Sequence, residues 1–260
     1  APYVLRWFQS RVNSAPASNR DTNHDAAQNQ SNAVFLEKVR DARESDGDMP
    51  TATAVDFDPR HKGARHKNMR PKPAASIILI KPAVSGPRFL MGKRAETLTF
   101  LPGYFVFPGG RLERQDRANR ALPPAGEEKL GTLGARLVAC ARRELTEETG
   151  LAAPENMPLN YIARAITPPG HIRRYDTRFF AAIVDEDFGP KHMIFPQDNE
   201  LDPIDWFARN DIPPEKLHRI TTLVLDAVET FLSARPDRDA KDHPIPCFRF
   251  RHGKAVVEYD

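Results

Sequence analysis

The stretch Arg143-Glu144-Leu145-Thr146-Glu147-Glu148-Thr149-Gly150-Leu151 decides how this chain is read. At 3.6 residues per turn Glu144, Glu147 and Glu148 stand at i, i+3 and i+4, so a helix carries three carboxylates on one patch of its surface. Leu137, Ala141 and Leu145 then fall on another side, toward a core. Like charges at that spacing cost an isolated helix about 0.2–0.5 kcal/mol per pair. A divalent cation relieves the repulsion. Hard oxygen donors of this kind select Mg²⁺ or Mn²⁺, which keep several waters and bind jointly with phosphates. Taken alone, the segment also fits a salt-bridged surface helix, because Arg142 and Arg143 sit one turn before Thr146 and Glu147.

Working outward, Phe107-Pro108-Gly109-Gly110 lies upstream, where glycines let backbone approach a bound phosphate closely. Gly150 follows the helix at the place of a left-handed cap. The helix itself is expected over 135–149. Short apolar runs at 76–81 and 88–93, separated by Pro82 and Gly86-Pro87, predict a hairpin. Further strands are expected at 103–107, 161–166, 178–184 and 203–207. A long helix is expected over 214–235, with Leu217, Ile220, Val224, Ala227, Val228 and Phe231 on one face. Asp211 is its expected cap, with Pro213 or Pro214 in its first turn. Residues 246–259 predict a final hairpin turning at His252-Gly253-Lys254.

With these elements in place, the sequence resembles the Nudix hydrolases, whose box reads G, five residues, E, seven residues, then REUxEExGU with U aliphatic. Arg143 to Leu151 matches the second half at every specified position. The first half departs from it. Five residues after Gly110 comes Asp116, and 26 residues rather than seven separate it from Arg143, an insertion of 19. Counting back from Arg143 instead places Ala135 at the Glu position, so the first acid is Asp116, Glu113 or absent. The insertion, 119–134, contains Pro123, Pro124, Gly126, Gly131 and Gly134 and reads as a surface loop. A split box is similar to that of the coenzyme A and acyl-coenzyme A diphosphatases. Gly103 and the three residues before FPGG resemble a motif of coenzyme A-cleaving members, except that an expected Arg is Thr99 here.

The resemblance covers roughly residues 73–235 and implies an α+β fold, a mixed β-sheet between helices in an α/β/α sandwich, over a domain of 73–260. It implies hydrolysis of a phosphoanhydride in a nucleoside diphosphate linked to another moiety, with Mg²⁺ or Mn²⁺. Coenzyme A or acyl-coenzyme A leads as substrate. ADP-ribose or a dinucleotide is the alternative, as is a domain that senses a nucleotide without cleaving it. Glu144, Glu147 and Glu148 are the expected metal ligands, and one of them, or a carboxylate from a later loop, the base. Gly110 would offer a backbone carbonyl to the metal. Arg143 is expected to orient a glutamate, or else to be a solvent-facing partner on the helix. Glu200, in the acidic turn 198–200, is a candidate ligand or base, with an exposed loop acid as the other reading. Arg173, Arg174 and Arg178 are candidates for further phosphates of a ligand, because guanidinium forks match phosphate oxygens. They equally fit a polar edge strand. Cys140 reads as packing.

Bulk numbers bound the rest. The chain has 260 residues, 38 Lys+Arg against 35 Asp+Glu, and 40% apolar content. Its most apolar stretch, 74–80, is far short of the about 20 residues a membrane span needs. Two cysteines make no disulfide scaffold, and a reducing, cytoplasmic setting is expected. Residues 1–72 carry 12 Lys/Arg and 9 Asp/Glu, so the main body is neutral. Residues 13–32 bury almost nothing and are expected to be disordered; a short helix is expected near 33–44. Arg60, Lys62, Arg65, Lys67, Arg70 and Lys72 form a basic run able to touch phosphate. No aromatic residue interleaves it, so a solvated linker is expected and nucleic acid is not an expected partner. The expected partner is a small nucleotide-containing substrate, and oligomeric state is not legible.

Overall fold

The computed structural model describes residues 69–83, 86–98, 101–117, 123–171, 173–185, 187–189, 200–233, 244–251 and 254–260. The expectations for residues 13–32 and 33–44, and for most of the basic run, lie outside the described residues.

The central strand β1, Lys72–Lys81, is buried on both faces, which is why it reads as a near-continuous apolar run rather than an alternation. Ala75, Ile77 and Leu79 enter one apolar cluster, and Ile78 and Ile80 enter another. Along one edge β1 pairs in parallel with β6, Tyr175–Ile183. The opposite edge is divided. Ala74 to Ser76 pair with β4, Gly109–Arg111, while only Ile80 and Lys81 pair with β2, Arg88–Arg94. The hairpin expected from 76–81 and 88–93 is therefore reduced to the two pairs next to its turn. Farther along β2, Gly92 and Lys93 pair with β3, Phe105–Val106, and the other edge of β2 pairs along its length with β7, Leu201–Ala208. Beyond β6 lies β5, Asn160–Ile166, which pairs in parallel with β8, Pro246–Arg251, and β9, Lys254–Tyr259, closes that edge.

This mixed sheet lies between two helices. Leu137, Val138, Ala141 and Leu145 of α1, Gly134–Thr149, share the first cluster with Leu79, Leu90 and Phe180. Val224, Leu225, Ala227 and Val228 of α2, Arg219–Ser233, share the second with Ile78, Phe89 and Phe179. Phe179 and Phe180 thus serve opposite faces, as successive strand residues must. The fold is the expected α+β sandwich. Among the described residues no helix is long and apolar enough to cross a membrane.

Several boundaries differ from the sequence reading, each for a local reason. The helix expected at 214–235 begins at Arg219, because Pro214–Lys216 forms a separate 3-10 turn and Leu217 is extended, bridging Phe105. Asp211 does not cap it: its carboxylate accepts the Ala208 N–H at 2.9 Å. The strand expected at 103–107 begins only at Phe105, since Gly103 has φ 74° in a turn. The strand expected at 178–184 starts at Tyr175, where Lys72 supplies a partner. The insertion is packed rather than a bare loop over its described part. Ala125 bridges Asn160, two 3-10 turns follow, and Leu130 is buried against α1.

Candidate active site

The FPGG element is fixed to β1 before it meets α1. The Pro108 carbonyl accepts from the Ser76 hydroxyl at 2.8 Å and from the Ile77 N–H at 2.9 Å. Gly109 then crosses so close to β1 that a Cβ would lie 2.6 Å from the Ala75 carbonyl oxygen, and its N–H donates to Glu148 at 2.8 Å. At Gly110 a Cβ would fall on the Glu144 carboxylate. The two glycines therefore differ in purpose: one admits backbone against backbone, the other admits a glutamate against the strand. At the far end of α1, Gly150 has φ 71° and its N–H donates to the Thr146 carbonyl at 2.9 Å, the expected left-handed cap.

Arg143 organises the carboxylates. Its Nε donates to Asp116 Oδ1 at 2.8 Å and its Nη2 to Oδ2 at 3.2 Å, a fork on one carboxylate. It also meets Glu144 at 2.9 Å and Glu147 at 2.6 Å, and donates to the Arg111 carbonyl at 3.1 Å. The Asp116 side chain is only 2% exposed. Burial works against its charge, but the hydrogen bonds from Arg143 and from the Glu113 N–H outweigh that and hold it below the ordinary carboxylate range. Of the two acids left open by the sequence, Asp116 is the one on Arg143. Glu113 pairs at the surface with Arg111 at 3.2 Å.

Burial pushes Glu148 up to about 8, against the opposing Gly109 N–H, and the neighbouring Glu144 charge adds to the rise. Glu144 is raised too, by burial first, with Arg143 opposing. Glu147 is half exposed. Glu200 is exposed at the start of β7, where its carbonyl accepts the Ala95 N–H at 3.1 Å, and its charge acts on Glu148. Cys140 lies 3.6 Å from the Gly110 carbonyl, and burial raises its thiol to about 12, consistent with packing.

The three arginines separate. Arg178 is buried and held by Asp176 at 2.9 Å, a carboxylate that also takes Arg164. Arg174 donates to the Thr167 carbonyl at 3.1 Å and to the Met69 carbonyl at 2.6 Å, and Arg173 is exposed. Two site residues escaped the sequence reading. Arg136 donates to the Asp116 and Glu113 carbonyls, both at 2.8 Å, tying the loop after β4 to α1. Its signal was its place two turns before Arg143 on the same face. Arg94, opposite Leu201 across β2 and β7, favours the ionised form of Glu148, and no motif marked it.

Among the described residues no three His, Cys, Asp or Glu side chains gather as a ready-made metal cage. The donor chemistry nevertheless fits a hard divalent cation. Glu144 and Glu148 are neighbouring carboxylates whose burial disfavours their charge, and such a pair gains most from a cation.

A family model for the NUDIX domain matches residues 70–227. The chain belongs to the Nudix family of pyrophosphohydrolases. No curated protein matches it. Among solved structures, a NUDIX hydrolase from Alicyclobacillus acidocaldarius is similar at 23% identity and TM-score 0.50, over 64% of this chain and 97% of that one. The NUDIX domain of NrtR from Shewanella oneidensis, complexed with ADP ribose, has 13% identity and TM-score 0.45, over 71% of this chain and 99% of that one. At these identities the likeness is one of fold.

Proposed function

We propose that this chain hydrolyses a phosphoanhydride bond in a nucleoside diphosphate linked to another moiety, with coenzyme A or acyl-coenzyme A as the leading substrate. The observation that carries the reaction is the pair Glu144 and Glu148, held over Gly110 and Gly109 and both raised by burial. The substrate branch is supported by the GYFVFPGG element, 103–110, and by the insertion before Arg143.

Glu144, Glu147 and Glu148, with the Gly110 carbonyl and Glu200, would hold Mg²⁺ or Mn²⁺. Such an ion, when bound, neutralises phosphate charge and lowers the pKa of a bound water. Arg143, fixed by Asp116, keeps Glu144 and Glu147 aligned and so acts as a positioning residue. One of these glutamates, or Glu200, would take the proton from the attacking water. Arg173 and Arg174, just before β6, would meet phosphates beyond the scissile bond, while Arg178, on that strand, is committed to Asp176.

The test is product analysis after incubation with Mg²⁺ or Mn²⁺ and a panel of coenzyme A, acetyl-coenzyme A, ADP-ribose, NADH and a dinucleoside polyphosphate. Metal-dependent release of adenosine 3′,5′-bisphosphate from coenzyme A is the expected result. Cleavage of another member alone discards the substrate branch. Binding without any cleavage would replace hydrolysis by sensing.

A further inference from the structure

β1 holds the chain after β4 as far as Leu112, whose N–H donates to the Pro73 carbonyl at 2.9 Å. Glu113 to Asp116 belong to no strand, yet Asp116 must present a fork to Arg143. An aspartate turns about only two side-chain bonds, so the aim of that fork is set by where its backbone sits. The covalent route to α1 does not set it, because that route runs through the insertion, with 26 residues between Asp116 and Arg143. Arg136 does. Its Nε donates to the Asp116 carbonyl and its Nη2 to the Glu113 carbonyl, both at 2.8 Å. A guanidinium gives its bonds in a rigid planar fork, so two of them fix orientation as well as distance. Inside this clamp the turn closes on itself: the Asp116 N–H donates to the Glu113 carbonyl at 3.3 Å, and the Glu113 N–H to Asp116 Oδ2 at 2.7 Å.

Arg136 and Arg143 stand two turns apart on one face of α1, so that face grips the loop twice. Ala135, the position on α1 reached by counting back from Arg143, offers no carboxylate. The residue beside it supplies instead an arginine that brings in the acid of the loop. We infer that Arg136 is a positioning residue of the hydrolytic site: it holds the Asp116 backbone where the carboxylate grips Arg143, and through Arg143 it aligns Glu144 and Glu147. The inference rests on the hydrolytic reading of those glutamates. Arg142 provides a contrast on the same helix. It donates to the Ala153 carbonyl at 3.0 Å and the Met157 carbonyl at 2.9 Å, and also to those of Pro154 and Glu155. It therefore supports α1 from the loop that follows it rather than from the Asp116 side.

One set of full-length variants separates positioning from plain support of α1. The native chain, Arg136→Gln, Arg136→Lys and Arg142→Gln are compared by thermal melts, by kcat and KM on the panel member that the native chain cleaves, and by Mn²⁺ affinity without substrate, read by electron spin resonance of the free ion. Arg136→Gln is expected to lower kcat about tenfold or more with KM nearly unchanged, because a displaced group acts on the chemical step. It is also expected to weaken Mn²⁺ binding. Arg136→Lys, whose ammonium lacks the fork, should recover part of the loss, and it carries the comparison if Arg136→Gln does not fold. Arg142→Gln should lower the melting temperature with kcat retained. An unchanged kcat in the Arg136 variants, or an equal fall in Arg142→Gln, overturns the inference. The route through Asp116 is tested by adding Arg136→Gln to Asp116→Asn, which loosens the Arg143 fork by itself. Losses that merge into one support the inference, and losses that multiply contradict it. If the native chain cleaves nothing, the hydrolytic reading fails and Mn²⁺ affinity judges the clamp: weaker binding in Arg136→Gln upholds it, and equal binding, or none in the native chain, overturns it.

Discussion

Gly109 and Gly110 are adjacent, yet they predict opposite failures. A methyl at Gly109 meets backbone, the Ala75 carbonyl oxygen at 2.6 Å and Ser76 Cα at 2.7 Å, neither of which can rotate away. Gly109→Ala should lower stability by about 1–3 kcal/mol, the usual cost of overpacking, as read by urea denaturation. A methyl at Gly110 meets first the movable end of Glu144. Gly110→Ala should therefore fold normally but displace that carboxylate and reduce turnover about tenfold or more. Equal stability losses in the two variants would remove the distinction. Glu148 gives a second prediction at this scale. Its carboxyl titrates near 4.5 when unfolded and at about 8 in the folded protein. Between those values the folded state holds a proton that the unfolded state has released, so folding stability falls as pH rises. In chelator, the native protein should lose stability from pH 5 to 8.5 more steeply than Glu148→Gln, and Mg²⁺ should close the gap at high pH. Parallel pH profiles for the two proteins would refute the buried-carboxylate account.

At the scale of elements, α1 is positioned by the loop after β4 as much as by its own apolar face. Asp116 is the link: its carboxylate holds Arg143 and its carbonyl holds Arg136. Asp116→Ala leaves Arg143 without its fork, and should cost on the order of 3 kcal/mol and reduce turnover with it. Glu113→Gln, altering an exposed pair with Arg111, should change stability by less than about 1 kcal/mol. Thermal melts of the two variants decide which acid completes the site. The sequence could not, because 26 residues separate Asp116 from Arg143 and spacing alone cannot say which side chain an arginine finds. RELTEETGL was legible because helical periodicity and the Gly150 cap are local rules, and both appear as expected in α1. Strand partners were not: the run at 76–81 shows that β1 is apolar on both faces, but nothing in it says that β2 and β4 divide one edge. The start of α2 was misplaced because Pro213-Pro214 fits a first helical turn and a 3-10 turn equally well, and the pairing of Leu217 with Phe105 decides between them.

At the scale of the whole molecule, a polar network joins the last strand to the middle of the sheet. Tyr161 donates to Asp260 at 2.8 Å, Arg164 reaches Asp260 at 3.4 Å and Asp176 at 2.8 Å, and Arg178 closes on Asp176. Burial, then the hydrogen bond to Asp260 and its charge, hold the Tyr161 phenol above its ordinary range. Asp260→Ala leaves that hydroxyl without this acceptor, and should cost about 1–3 kcal/mol. Hydrogen exchange should show the loss first in β8 and β9, with α1 still protected; uniform loss of protection would contradict a local role. The same sheet carries the glycines and strands that aim Glu144 and Glu148, so the hydrolytic claim rests on the fold as a whole. Its most direct test is metal-dependent turnover of a cleaved nucleoside diphosphate derivative by the native chain and by Glu148→Gln, with thermal melts of both. The account predicts a fall on the order of 10² in kcat with the fold retained, and full turnover in Glu148→Gln would contradict it.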